Sequence, residues 1–193
     1  MTFTYPLEIV QLLVAPSHAY FGRSADGPAD VPTLFPESVE VVEGKGIRGD
    51  RFFGVRAHTE AAVSFLAIEA WEAATAAANG APREGEHGAV SVARRNIVTR
   101  GLELDPLRGE DFAVDTGDGP VRFRGGRPAH PCAWMDRMVV DGTRKALIGR
   151  GGLRAGVLGS GVLRVGPGFV HSPVPLDAAR AADSVRRAQP LRH

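Results

Sequence analysis

Glycine and proline occur so often in this chain that they limit the length of every regular element. The sequence has 24 glycines and 14 prolines among 193 residues, and both types are spread from end to end. Glycine favours turns because it tolerates positive φ, and proline interrupts helices and central strands. The spacing therefore favours many short strands joined by tight turns, and it argues against a bundle of long helices.

Apolar segments between these turns predict a mainly β fold, a barrel or a sandwich, with roughly six to nine short strands. Glycines at 117 and 119 separate two of the strands and predict a hairpin, and the GSG sequence at 159–161 predicts a second one. The predicted strands are residues 7–14, 39–42, 62–66, 95–99, 112–114, 121–124, 153–158, 162–165 and 169–171.

Helices are expected to be few. Residues 69–79 are alanine-rich and end before Gly80, and residues 143–148 predict a shorter helix. Asp177 is a suitable N-cap for a terminal helix that extends towards Pro190. Residues 1–171 are thus predicted to form one β domain, and residues 172–193 a helical C-terminal tail.

The charge balance excludes two classes of partner. With 23 basic and 22 acidic side chains, the chain is not a strongly basic nucleic-acid binder and has no polybasic membrane anchor. No apolar run approaches the ~20 residues of a membrane span, and the amino-terminal segment lacks the basic start of a signal peptide. A single cysteine forms no internal disulfide, which fits a reducing cytoplasm.

That cysteine, Cys132, lies in the sequence RPAHPCAW. A lone cysteine is more often a buried, inert core residue than a functional one. Here the flanking prolines predict a loop, where functional residues are common. Arg127 and His130 would favour the thiolate, which is the nucleophilic and metal-binding form, and Trp134 would supply an apolar wall. Both interpretations stay open on the local sequence alone.

The sequence GKGIRGDR, residues 44–51, contains a GxGxxG pattern. It does not predict a dinucleotide site, because no amphipathic helix follows it. One interpretation is a glycine turn between strands. The other is a concave anion site, in which backbone amides act together with Lys45, Arg48 and Arg51, and Asp50 orients one of the arginines.

A second basic segment, SVARRNIVTRG, gathers Arg94, Arg95 and Arg100 around Asn96. Charged edge strands discourage aggregation, so a solvated basic strand is one explanation. The alternative is an oxyanion anchor, because the planar guanidinium group binds phosphate through two hydrogen bonds.

A third segment, residues 149–166, places Arg150 and Arg154 among glycines. It predicts either an ordinary glycine-rich hairpin or a backbone that approaches a ligand closely. The sequence contains no HExxH zinc motif, no Walker A lysine motif and no GxSxG elbow.

Together these segments resemble the MOSC domain, the family named after the C-terminal part of molybdenum-cofactor sulfurases. The resemblance covers most of residues 7–170, leaves the tail unexplained, and implies a MOSC-like β-barrel with a few short peripheral helices. The matching stretches, in the family's order, are GKGIRGDRFFG, ARRNIVTRGLEL, HPCAWMD and GRGGLRAGVL followed by GVLRVG.

The resemblance implies a molybdenum cofactor, a pterin with a dithiolene and a terminal phosphate, whose metal is also bound by the motif cysteine, here Cys132. It also implies that Arg51, Arg95, Asn96 and Arg154 line the cofactor pocket. Lys45 and Asp50, which lie in the same GKGIRGDR stretch, are expected to bind the cofactor as well. The chain has no further cysteines for an iron–sulfur cluster, so redox catalysis would need a separate electron-transfer protein, of the flavoprotein or ferredoxin type.

Three functions agree with these residues. The first is a molybdenum-dependent reductase of small N-hydroxylated compounds. The second is a sulfur carrier, in which Cys132 holds a persulfide received from a PLP-dependent cysteine desulfurase. The third is a binding protein with a structural cysteine and a basic pocket for another anion.

Overall fold

Short strands build most of this fold, as the glycine and proline spacing predicts. The computed structural model describes residues 2–78 and 90–186. The strands are β1 (Phe3–Leu12), β2 (Ser38–Val42), β3 (Gly46–Ile47), β4 (Val63–Ala67), β5 (Ile97–Arg100), β6 (Asp111–Asp115), β7 (Val121–Pro128), β8 (Leu153–Val157), β9 (Gly161–Arg164) and β10 (Gly166–Ser172). The α-helices are α1 (Ile68–Ala76), α2 (Trp134–Met138) and α3 (Thr143–Ala146).

Seven of the strands close into a barrel. Their order around it is β1-β10-β6-β7-β8-β4-β5, and β5 pairs with β1 to complete the circle. All neighbouring pairs are antiparallel except β4 and β5, which are parallel and are connected through α1. Closure satisfies the backbone groups of both outer strands, which would otherwise form exposed edges. The prediction of a mainly β barrel is confirmed.

The remaining strands form a separate sheet of three, in the order β3-β2-β9. The predicted hairpin of residues 112–114 and 121–124 is confirmed, with Phe112 opposite Phe123. The predicted hairpin of residues 153–158 and 162–165 is wrong, because β8 pairs with β4 and β7 whereas β9 pairs with β2. Pairing with β2 places Leu163 opposite Val39, where both side chains are buried, so the GSG sequence carries the chain between two sheets.

Two hydrophobic clusters stabilise the fold. Inside the barrel, the rings of Phe65, Phe112 and Phe123 pack with centroids 5.1–5.6 Å apart. Outside it, Trp71 of α1 and Trp134 of α2 belong to a second cluster that covers the outer face of β4 and β5. All five residues of β4 are consequently buried, since both faces of that strand are covered.

Up to residue 186, the last one that the structure describes, the C-terminal tail is less helical than the alanine-rich sequence predicts. Asp177 does act as an N-cap, since its carboxylate accepts a 2.9 Å hydrogen bond from the amide of Ala179. The helix that follows is a single 3-10 turn, Ala178–Arg180. Ala181 and Val185 are then buried, and the amide of Val185 donates to the carbonyl of Gly149, which holds the tail in an irregular path against the barrel.

Parts of two predictions lie outside the described residues. These parts are residues 187–190 of the predicted terminal helix, and Asn79 with Gly80 at the end of the first predicted helix.

The glycine pair before β8 is expected to be intolerant of side chains. Gly152 has a φ of +100°, and a Cβ there would clash with the carbonyl oxygen of Phe65. Gly117 has a similar φ of +109° but open space around it. Gly117→Ala should therefore lower the free energy of unfolding by about 1–2 kcal/mol from backbone strain alone.

Gly152→Ala should lower it by about 3 kcal/mol or more, because overpacking adds to the strain. Urea unfolding of the two variants measures the difference. Equal losses would show that the contact between Gly152 and β4 is not tight.

Candidate functional site

Cys132 is exposed and lies in the loop between β7 and α2. Prolines flank this loop, and its backbone is tied to the glycine pair before β8, because the amide of Ala129 donates to the carbonyl of Gly152 at 2.8 Å. On the other side, Trp134 and Met135 are buried and anchor α2 in the outer cluster. The local sequence thus presents the sulfur to solvent on a loop that is held at both ends.

A small cavity of about 80 Å³ lies beside Cys132. Three arginines line it together with the cysteine, and they come from separate segments: Arg51 follows β3, whereas Arg94 and Arg95 precede β5. The expected apolar wall comes from Tyr20 and Met135, because Trp134 lies beneath them, with its ring stacked on Tyr20 at 5.0 Å. Positive charge therefore surrounds the thiol on the side that faces the cavity.

Arg95 links the cysteine loop to the glycine pair before β8. Its Nε donates to the carbonyl of Gly151 at 2.7 Å, and its Nη2 donates to the carbonyl of His130 at 3.4 Å. Burial, together with the charges of Arg154 and Arg51, lowers the pKa of Arg95 to about 10, although the nearby Cys132 sulfur acts in the opposite direction. The guanidinium is still protonated at neutral pH, so it presents a poorly solvated positive charge to the site.

Arg51 has hydrogen-bonding capacity that the described residues do not use. Its side chain is 11% exposed, and among the described residues its ion-pair partner is Asp50, with 3.5 Å between Nη1 and Oδ2. Within the described part of the chain, its Nε and Nη1 are buried and have no hydrogen-bond partner. Such buried donors are costly unless a ligand or water accepts from them, so Arg51 is suited to binding an anion.

Asp50 and Asn96 lie below the arginines and contact protein groups instead of the cavity. Asp50 accepts from the amides of Ala15 and Phe52 and from Nδ2 of Asn96, at 3.0–3.3 Å. Oδ1 of Asn96 accepts from both the amide and the hydroxyl of Ser64. These two predicted cofactor-binding residues therefore position the site from beneath, and Asp50 orients an arginine as the sequence suggests.

A larger open cleft of about 970 Å³ adjoins the first cavity, and His130 lines both. Arg108, Arg127 and Arg154 surround it, and three glycines form part of its wall. Burial lowers the pKa of Arg154, and the charges of Arg127 and Arg51 lower it further. Cleft and cavity are thus neighbours, and we call them together the basic depression, of which the smaller part is lined by Cys132.

The backbone amides of the GKGIRGDR turn do not form the anion site expected there, so that part of the prediction is wrong. The amides of Lys45, Arg48 and Asp50 donate to carbonyls of the same turn and of β2, and therefore do not converge on a ligand. The side chain of Lys45 is exposed, and Arg48 is paired with Glu40 on the surface. Of the basic residues in this turn, Arg51 lines the cavity.

Two other predicted arginines also have local structural partners. Arg100 is paired with Glu8 and Glu72 on the surface, and Nε of Arg150 donates to the carbonyl of Ala182 in the tail. Neither lines the basic depression as the structure describes it.

The sequence analysis missed His18 and Tyr20, which lie in the long loop after β1 and line the cavity at Cys132. Burial, Arg51 and Arg94 lower the pKa of His18. Burial raises the pKa of Tyr20 to about 12, and its phenol donates to the carbonyl of Val92 at 2.7 Å. The one signal in the sequence is the cluster HAYF, two aromatic residues and a histidine within four positions of a loop rich in Pro, Gly and Asp.

Two further observations concern metal-binding side chains and membrane-spanning helices. Among residues 2–78 and 90–186, no group of three or more His, Cys, Asp and Glu side chains is placed to hold a metal ion. In the same residues, no helix combines the length and apolar character that a membrane span requires.

Comparison with solved structures identifies the fold. YiiM from Escherichia coli, a MOSC-domain protein, superposes with a TM-score of 0.55 and 16% identity over 93% of this chain and 76% of its own. YiiM from Geobacillus stearothermophilus superposes with a TM-score of 0.57 and 17% identity over 86% and 74%. The chain has a MOSC-like fold.

The MOSC-like barrel is also similar to the YuaD protein from Bacillus subtilis, with a TM-score of 0.63 and 15% identity over 89% of this chain and 99% of that one. At such identities the likeness concerns the fold. No family model matches the sequence, and no curated protein matches it. Function therefore has to be argued from the site of this MOSC-like chain.

Asp50, which lies buried beneath the site, is expected to contribute most to the stability of this region. Asp50→Ala should lower the free energy of unfolding by about 3–5 kcal/mol, because it leaves the Arg51 charge and several buried donors without a partner. Asp118→Ala is the matched control, since Asp118 pairs with Arg164 on the surface, and it should cost about 1 kcal/mol or less. Chemical denaturation compares the two, and a small loss for Asp50→Ala would mean that water readily replaces its partners.

Proposed function

We propose that this chain is a MOSC-domain protein that binds a molybdenum cofactor at Cys132 and reduces small N-hydroxylated compounds. The observation that carries the proposal is the exposed sulfur of Cys132 at the end of a depression lined by arginines from separate segments. The MOSC-like fold and the four motifs in the family's order support the same function.

The residues present fit the cofactor chemically. A soft thiolate is a suitable ligand for a sulfur-rich metal centre, and Cys132 is accessible. A terminal phosphate needs charged donors, and Arg51 has two buried N–H groups without a hydrogen-bond partner in the described structure. The adjoining cleft of about 970 Å³ is at the upper end of the range of ligand sites, roughly 300–1,000 Å³.

Each residue has a defined part in this proposal. Cys132 would hold the metal, and Arg51, Arg95 and Arg154 would bind the anionic end of the cofactor. Asp50 and Asn96 would keep Arg51 in place from below. Burial and, to a smaller extent, repulsion from neighbouring arginines lower the pKa of Arg95 and Arg154, and a bound anion would counteract both effects.

The bound cofactor would supply two-electron redox chemistry. In the overall reaction an N–O bond is broken, and the N-hydroxylated substrate takes up two electrons and two protons to give the N–H compound and water. The electrons would come from a separate flavoprotein or ferredoxin-type protein, because the chain has one cysteine and hence no iron–sulfur cluster of its own. A reducing compartment such as the cytoplasm would suit both the thiol and this partner.

Metal and sulfur analysis of the purified protein tests the proposal. After expression in a host that makes the cofactor, the wild type should contain molybdenum and pterin, and Cys132→Ser should lose the metal. A persulfide on Cys132 without metal would instead assign the sulfur-carrier function, with a PLP-dependent desulfurase as donor. If neither molybdenum with pterin nor a persulfide is found, the remaining function is that of a binding protein for another anion.

The arginines can be tested independently of activity. Arg51→Ala and Arg95→Ala should each weaken cofactor retention by about 1–3 kcal/mol, as expected for a lost charged hydrogen bond. Arg124→Ala is the control, because Arg124 is an exposed barrel residue paired with Asp111. Pterin content after extensive dialysis measures retention. Equal retention in all three variants would remove Arg51 and Arg95 from the phosphate site.

A further inference from the structure

A third cavity lies on the other side of Arg94, beneath the loop that connects β1 to β2. Its volume is about 310 Å³, and we refer to it as the loop pocket. Tyr20 and Arg94 line both the loop pocket and the cavity at Cys132, so these two side chains form the boundary between them. A molecule that extends from the loop pocket past these two side chains would enter the cavity at Cys132.

The loop pocket is preformed, because its covering loop is fixed by hydrogen bonds to the barrel. Val14 and Leu34 exchange two backbone hydrogen bonds of 3.0 and 2.9 Å, and the amide of Ala29 donates to the carbonyl of Ala19 at 2.8 Å. The phenol of Tyr20 is held by the carbonyl of Val92. A site that is already ordered loses little entropy when a ligand binds.

The loop pocket combines apolar and aromatic side chains with a lining surface that is mostly polar. Val92 and Met138 are buried beneath it, and Tyr20 is fixed by its stacking on Trp134. Phe35 also lines it, although this side chain is 53% exposed. Such a wall suits a flat aromatic ring that contacts Tyr20 or Phe35 and carries a polar substituent.

Arg94 supplies the one charge in this wall. It is 9% exposed, and its guanidinium donates to two uncharged groups, the hydroxyl of Thr33 at 2.9 Å and the carbonyl of Ser17 at 3.2 Å. It is also the only non-glycine residue with positive φ, +51°, in the described chain. Strained backbone of this kind persists where the surrounding structure imposes it and is concentrated at functional sites.

We propose that the loop pocket binds the organic body of the substrate, and that Arg94 selects flat aromatic compounds that carry a carboxylate. The reactive nitrogen would then lie at Cys132, so the proposal rests on the function proposed above. A buried guanidinium with neutral partners would gain a charged hydrogen bond from such a carboxylate. Arg94 is thus a specificity-determining residue, separate from Arg51 and Arg95 at the cofactor.

Equilibrium binding of two probes to the purified full-length chain tests this assignment. The probes are benzamidoxime and 4-carboxybenzamidoxime, and titration calorimetry is combined with tryptophan fluorescence, since Trp134 lies against Tyr20. The wild type should bind the carboxylated probe about tenfold more tightly or better, as expected for a hydrogen bond to a charged group. Equal affinities, or no binding of either probe, would overturn the proposal.

Variants at position 94 identify the residue responsible. Arg94→Gly should fold, because glycine accepts the positive φ, and it should abolish the preference for the carboxylated probe while retaining weak binding of both. Arg94→Lys should restore part of the preference. Arg23→Ala removes an exposed charge from the same loop and should change nothing. A preference that survives in Arg94→Gly would contradict the assignment.

Failure of this proposal can be distinguished from failure of the proposed function. Probe binding does not require the cofactor, whereas the molybdenum and pterin content of the same preparations reports on the cofactor site. Selective, Arg94-dependent binding in a protein that acquires no cofactor would overturn the reductase function and retain the loop pocket. Cofactor without probe selectivity would overturn the loop pocket alone.

Discussion

The buried hydrogen-bond network of Asp50, Asn96 and Ser64 is the interaction on which the site depends. It connects the turn after β3, the start of β5 and strand β4, and through Ala15 it reaches the end of β1. Polar groups buried at this depth are stabilising only when each has a partner, so the network accepts few other arrangements of these segments. Arg51 and Arg95 are neighbours of Asp50 and Asn96 in sequence, and hence the network also sets where their charges lie.

The electrostatic consequence is a group of like charges that the protein itself does not neutralise. Burial lowers the pKa of Arg95 and Arg154, and so do neighbouring arginines, Arg154 and Arg51 for the first and Arg127 and Arg51 for the second. In residues 2–78 and 90–186, Asp50 is the one carboxylate that pairs with Arg51. Repulsion of this kind costs folding free energy, and in proteins it is concentrated at sites that bind an oppositely charged ligand. The exposed sulfur of Cys132 lies at the end of this basic depression, so an anionic, metal-bearing ligand accounts for both features together.

The loop between β1 and β2 extends the same arrangement towards a substrate. Arg94 and Arg95 are consecutive, yet the first bonds to Ser17 and Thr33 of the loop, and the second bonds to Gly151 and to the cysteine loop. The positive φ of Arg94 accompanies this divergence. One short segment before β5 therefore serves two neighbouring cavities, one beside the sulfur and one beneath the loop.

The sequence by itself determined the class of fold, most strand positions and the hairpin of β6 and β7, because turn residues and apolar runs are local signals. It also marked the segments that carry Cys132, Arg51, Arg95 and Arg154. Only the tertiary structure decided that β9 joins β2, that Asp50 and Asn96 lie beneath the site, and that His18 and Tyr20 line it. It also directed Lys45 and Arg48 away from the site. These outcomes depend on which distant segments share buried partners, and such pairings leave no periodic pattern in the chain.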